Sequence, residues 1–557
     1  MVDRLKRRSR AASEPAATAP TIENLLHRHR EEWARARSKA ASGPPVLIAT
    51  NVTGFQHATL LEAVLAIALT LRGARVELLA CDAAMPACLR AERQTMPTAE
   101  NFRARELVGR TCPGCVALGR SLLGPLGLTT HVFSDLVSDY ERADCRHLAE
   151  TVPAGEIRRF RHREMSVGEH AEAGALRYFA RGDLRGVDGG EIVLRRYFEG
   201  ALIAATATSN LLTRRRYASA CFHHGIYVPQ GPTGEACRAA GIPVVNWNPS
   251  YRRNTFIFSH GDTYHHTLMQ EPLSAWKALE WTEAMESEIM SYLDSRRHGG
   301  RDWIWFHEKP DEDFARYASE IGLAPSKPVV GLLTNVVWDA QLHYPANAFS
   351  NMLEWVVATI DHFSRRPDLQ LLIRVHPAEI RGTVPSRQPV TEEIRRAFPT
   401  LPANVFVVPP EAHVSTYAAM EACDAALVYG TKTGVELASY GIPVIVGGEA
   451  WIRNKGLTWD ASSAEEYFKL LERLPFGHRM APDTVREARR YAYHFFFRRM
   501  IPLPFLVPKP GKIYDLSLGS IEELMPGVHP GLDVVCEGIL NGAPFIYQSE
   551  RHGLHDA

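Results

Sequence analysis

Residues 430–434 read Gly-Thr-Lys-Thr-Gly and follow the short apolar run 425–428. Two hydroxyls and one ammonium between glycines, at a strand-to-helix turn, leave backbone N–H groups open to an anion. Phosphate binding is therefore the chemistry expected of Thr431, Lys432, Thr433 and Gly434. Glu436, one turn further on, is placed to accept hydrogen bonds from a ribose. The segment is not a Walker sequence, because Gly-x4-Gly-Lys-Ser/Thr is absent. A second strand end carries Arg374-Val375-His376-Pro377-Ala378-Glu379. There an imidazole can pair with a phosphate or protonate a leaving group, and Arg374 can add charge.

Imidazoles crowd the first half. His57 lies in a loop after an apolar strand; His223 and His224 enter a loop rich in glycine and proline; His260, Asp262, His265 and His266 share another. Their spacings match no single-metal pattern such as His-Glu-x-x-His. Neutral imidazoles bond hydroxyls or take a proton near neutral pH, so His57, His260 and Asp262 are candidate general bases. A structural histidine is the competing reading at each, and the residue pattern does not choose among them.

Four cysteines form a third group: Cys81, Cys88, Cys112 and Cys115, the last two as Cys-Pro-Gly-Cys. Two-residue spacing lets two thiolates grip one tetrahedral metal, whereas Cys81 to Cys88 is looser than a usual half-site. A structural zinc or iron–sulfur cluster, thiols for redox chemistry, and semi-buried cysteines of an irregular insertion are the three readings.

The elements that must position these residues alternate strand and helix. Residues 45–52 read as a strand and 75–80 as the next. Between them Leu61, Val64, Leu65, Ala68 and Leu69 share one helix face. That is a right-handed βαβ unit of a parallel sheet, in which ligands sit beyond the strands' carboxyl ends. Residues 125–220 are expected mostly helical. A second sheet is expected from 328–334, 369–375, 404–408, 425–428 and 444–446, with intervening helices. The expected organisation is a basic tail (1–20), a first domain with a helical and cysteine-containing insertion (21–300), a linker (301–327), a second domain (328–480) and a C-terminal crossover helix and tail (481–557).

With 557 residues, 63 Lys+Arg and 63 Asp+Glu, the chain has zero formal charge. A dedicated nucleic-acid binder would need net basic charge to neutralise phosphates. No stretch reaches the roughly 18 apolar residues of a membrane span. Nine cysteines, an odd number, fit a reducing cytoplasm. Phe495-Phe496-Phe497-Arg498-Arg499 with residues 501–507 packs between domains or makes a shallow membrane contact.

The motifs Asn335 with Asp339, Arg374-His376-Pro377-Glu379, Tyr429 to Gly434 with Glu436, and Arg453 to Gly456 together resemble GT-B glycosyltransferases of the bacterial capsule and surface-polysaccharide type. The resemblance implies two Rossmann-like, doubly wound α/β domains facing a cleft. It implies transfer of a sugar from a nucleotide-sugar donor to a growing, lipid-linked glycan at the inner face of the cytoplasmic membrane. It implies phosphate held by Thr431, Lys432, Thr433, Gly434, His376 and Arg374 with no cofactor required for catalysis. The four-cysteine element is not a general feature of such enzymes. A CDP-alditol phosphotransferase or a CMP-sugar transferase on the same scaffold, and a non-catalytic nucleotide-binding scaffold, are the alternatives.

Overall fold

The computed structural model describes residues 21–298, 301–303, 310–339, 342, 346–382, 384–509 and 512–553. The expected tail 1–20 and part of the expected linker lie outside them. Two sheets organise the chain. The first six strands are β1 (Pro45–Ile48), β2 (Arg75–Ala80), β3 (Thr130–Val132), β4 (Ser219–His223), β5 (Val244–Pro249) and β6 (Thr255–His260). The next six are β7 (Val329–Leu333), β8 (Gln370–Arg374), β9 (Val405–Val408), β10 (Ala425–Val428), β11 (Val444–Val446) and β12 (Trp459–Asp460). A thirteenth, β13 (Met500–Pro502), returns to the first sheet.

The second sheet has the order β12-β11-β10-β7-β8-β9, all parallel. From its first strand the chain winds outward one way, then starts again on the other side. This is the doubly wound Rossmann order, and its ligand crevice lies where the direction reverses, beyond β7 and β10. The first sheet repeats the scheme: β3-β2-β1-β4-β5 are parallel, and the reversal falls between β1 and β4. Antiparallel β6 and β13 extend its edge. Parallel strands covered on both faces must be apolar throughout, as β10 (Ala-Ala-Leu-Val, wholly buried) illustrates.

Several connections are helical, as expected for residues 125–220, where Val167–Phe179 and the long helix Gly190–Arg214 pack together. After the second sheet the helix Pro482–Tyr493 carries the chain back, and β13 pairs with β6. Phe495, Phe496 and Phe497 are almost fully buried, with the Arg252 guanidinium 4.7 Å from the Phe497 ring. Packing has claimed that cluster, so the expected membrane contact through it is withdrawn. Among the described residues no helix is long and apolar enough to cross a membrane.

The carboxyl edges of the two sheets meet. Val52, after β1, and Ile226 and Tyr227, after β4, pack in one small cluster with Leu342, from beyond β7. Tyr227 Oη donates to Asp339 Oδ1 at 3.1 Å in the same place.

Candidate functional site

At the reversal of the second sheet, three strand ends converge. A Cβ at Gly430 would lie at ordinary contact distance from its neighbours, 3.4 Å from the Glu449 carbonyl oxygen and 3.8 Å from Asn335 Nδ2. Asn335, just past β7, keeps a buried Oδ1 without a hydrogen-bond partner. An orphaned buried amide oxygen is costly and marks a place built for a ligand or water. Thr431 and Thr433 stand half-buried with their hydroxyls 3.1 Å apart. Next along the edge, His376 N–H donates to Thr334 Oγ1 (3.0 Å), and Ala378 N–H donates to His376 Nδ1 (3.0 Å). In the neutral ring this leaves the proton on Nε2.

Other expected residues face inward. Arg374 is 1% exposed; it donates to the carbonyls of Pro409 (2.6 Å) and Ala412 (3.2 Å) and to Thr416 Oγ1 (3.3 Å). Burial lowers its pKa to about 10. It fastens the loop after β9 and is withdrawn as a phosphate ligand. Glu436 is wholly buried, its Oε1 3.3 Å from both Lys432 Nζ and Arg296 Nε, and its Oε2 bonded by Tyr417 Oη. Burial would raise its carboxyl, but the Arg296 and Lys432 charges outweigh that and hold it below its ordinary value. Its expected contact with ribose is corrected: the carboxylate is locked among protein donors. Lys432 shares in this network, with Nζ 4.9 Å from the Tyr251 ring centre. Arg453 bonds its own loop, and Lys455 Nζ bonds the carbonyls of Leu268, Met269 and Glu271, so neither serves a donor site. Glu379 is likewise buried, accepting from Val390 N–H at 3.0 Å.

The reversal of the first sheet lies opposite. His57 sits in the first turn of the helix Gln56–Leu71 and packs on Phe55, His223 and Tyr514. Burial, then the charge of Arg90, lowers it to about 4. His224 follows β4 with φ 68°, a left-handed backbone that a non-glycine residue adopts at a strained, often functional position. Its Nδ1 is buried without a partner, its ring lies 4.8 Å from Tyr227, and burial with nearby His265 lowers it to about 3. Tyr264 and His265 lean on Trp451 of the second unit, ring centres 5.7 and 5.6 Å apart.

His260 and Asp262 are not here. β6 runs antiparallel, and His260 pairs with Val245, at the start of β5 and so at the edge away from the crevice. Its Nε2 lies 2.9 Å from the Ala543 carbonyl oxygen, and Asp262 faces Arg238 at 3.7 Å. Both are withdrawn as bases. Alternation alone could not reveal that β6 reverses direction.

The four cysteines gather behind the β1 loop, all as free thiols lining one cavity. As the thiols stand, no three Cys, His, Asp or Glu side chains among the described residues surround one point. A larger groove, about 810 Å³, runs between the helices Val167–Phe179 and Met352–Ser364. Its walls mix Arg158, Arg396, Glu172 and Glu354 and include none of the candidate phosphate or base residues.

Two Rossmann-ordered sheets whose reversal points face each other define the GT-B architecture. No protein-family model matches the chain, and no curated protein does. Among solved structures it is similar to the KpsC beta Kdo 2,4 transferase of Thermosulfurimonas dismutans, at 14% identity over 49% of this chain and 79% of that one, TM-score 0.33. It is similar to a UDP-GlcNAc 2-epimerase from Neisseria meningitidis bound to UDP-GlcNAc, at 9% identity over 81% and 95%, TM-score 0.23. It is also similar to the spinosyn rhamnosyltransferase SpnG complexed with spinosyn aglycone, at 12% identity over 81% and 95%, TM-score 0.23. Likenesses this loose say nothing of activity; the architecture rests on strand order and the facing crevices.

Proposed function

We propose that the chain is a glycosyltransferase that moves a sugar from a nucleotide-sugar donor to a glycan acceptor of a surface or capsular polysaccharide. The observation that carries this reading is the pair of facing reversal points, one with hydroxyls, backbone amides and the orphaned Asn335 amide, the other with neutral imidazoles. The donor's phosphates take the turn 430–434, with Thr431 and Thr433, while the Lys432 ammonium stays paired with Glu436, and His376 donates from Nε2 to a phosphate oxygen. Fixed donors of this kind stabilise the charge that develops on the leaving group.

On the facing side His224 takes the acceptor hydroxyl's proton, as the oxygen bonds the anomeric carbon and the bond from that carbon to the phosphate oxygen breaks. His224 is preferred over His57 because its ring borders Tyr227, which itself reaches Asp339 of the donor half. Incubation with UDP-, GDP-, dTDP- and CMP-sugars tests the reading. Release of nucleoside diphosphate, or of CMP from a CMP-sugar with the sugar recovered on glycan, supports it. Turnover that moves a phosphoryl group to an alditol would replace it with the phosphotransferase reading. Nucleotide binding without turnover would replace it with the scaffold reading.

A further inference from the structure

Cys81, Cys88, Cys112 and Cys115 come from three separate segments: the end of β2, the loop behind it and the helix Cys112–Leu123. Yet all four line a single cavity of about 10 Å³, together with Asn51 and Arg90. That volume holds about one water-sized atom. Three features point to an occupant.

First, Asn51 is 1% exposed, and neither its Oδ1 nor its Nδ2 has a partner. A buried side-chain amide left wholly unpaired at a cavity wall is an unmet demand for polar company. Second, backbone N–H groups are aimed at two of the four sulfurs. Gly54 N–H donates to Cys115 Sγ at 2.8 Å, and Arg90 N–H to Cys88 Sγ at 3.4 Å. Such donors do little for a neutral thiol but stabilise thiolate ligands and set their orientation. Third, Arg90 lines the same cavity with Nε buried and unpaired while its Nη1 pairs with Glu92 Oε1 at 2.8 Å, so its guanidinium keeps one donor toward a tetrathiolate centre that would carry net negative charge.

We propose that these four cysteines form a tetrahedral site for one zinc-class divalent ion, fastening the β1 loop that presents Gly54 to His57. Closing on the ion takes rotation of the thiols about χ1 into the cavity. Four S–H bonds give up four protons as four metal–sulfur bonds form. A cubane cluster would need several times this space, so a single ion is the occupant assigned. The proposal is independent of the sugar-transfer reading: the centre is structural and supplies no catalytic group.

The test uses the full-length chain, purified under reducing conditions, with thiols counted to confirm that all are free. Elemental analysis is expected to find about one zinc per chain. After its removal, Co²⁺ titration is expected to give the intense thiolate-to-metal bands of a tetrahedral sulfur site. Cys115→Ser is expected to weaken Co²⁺ binding about tenfold or more. Because that variant could misfold, the wild-type metal content and cobalt spectrum decide by themselves. A reduced chain with no bound metal and no cobalt band overturns the proposal, and so does iron recovered with inorganic sulfide.

Discussion

Tyr227 Oη reaches Asp339 Oδ1 at 3.1 Å, joining the loop after the fourth strand of one sheet to the loop after the first strand of the other. The two residues are 112 positions apart. Tyr227 is 2% exposed, while Asp339 is exposed. One hydrogen bond to a carboxylate thus spans the space between the proposed acceptor and donor sides. Such a bond is worth about 1.5–3 kcal/mol.

Tyr227→Phe is therefore expected to lower kcat/KM for sugar transfer by about tenfold, with little change in melting temperature. Small-angle scattering should report a more open particle. Unchanged kinetics and scattering would show that the contact does not set the cleft.

The hydroxyl turn is best tested without touching its lysine. Lys432 belongs to the buried network around Glu436, so its removal mixes stability with binding. Thr431→Val with Thr433→Val leaves that network whole. Nucleotide affinity measured by calorimetry should fall about tenfold while the unfolding midpoint holds. Equal affinity in the double variant would remove the turn from the donor site.

Arg296 links the helix Glu283–His298 to Glu436 and Asp302 and donates to Tyr292 Oη one turn back on the same helix, with its side chain 5% exposed. Breaking one partner of a buried ion pair leaves uncompensated charge, so Arg296→Leu should destabilise the chain by about 3–5 kcal/mol in denaturant unfolding. A loss within about 0.5 kcal/mol would mean that the network is solvated in solution.

Glu62 gives a pH signature. It is 1% exposed, accepts from His223 N–H at 2.8 Å and Trp247 Nε1 at 3.3 Å, and burial raises its pKa from 4.5 to about 8. Below pH 4.5 folded and unfolded states both hold the proton, so its stabilising effect is fully present there. Between 4.5 and about 8 only the folded state holds it. Stability then falls as pH rises, by about 1.4 kcal/mol per pH unit at most, and levels off above that range. Glu62→Gln keeps the acceptor oxygen and removes the titration, so its melting temperature should overtake wild type between pH 6 and about 8. Parallel melting curves across that range would show that Glu62 stays ionised in the folded chain.

Much of the architecture was legible because strands covered on both faces spell themselves as apolar runs between helical periods. The runs ending near Ala80, Arg374 and Val428 all became strands of parallel sheets. What spacing could not convey was direction. Arg374 and His376 are two residues apart at one strand end, yet one turns into the loop after β9 and the other stays at the crevice edge. Glu436 looked free because its guanidinium partner stands 140 positions earlier in the chain, at Arg296. Arg453 and Lys455 read as a basic loop, but each finds backbone carbonyls to satisfy it. His224 carried no distinguishing spacing; its left-handed backbone shows only in three dimensions.

The central claim is that the crevice at the end of β7 and β10 holds a nucleotide. Calorimetric titration of UDP, GDP, dTDP and CMP into wild type, Asn335→Ala and Asn51→Ala addresses it directly. Saturable binding of one nucleotide, weakened about tenfold by Asn335→Ala and untouched by Asn51→Ala, is the expected result. Binding by none of the four, or binding indifferent to Asn335→Ala, would contradict it.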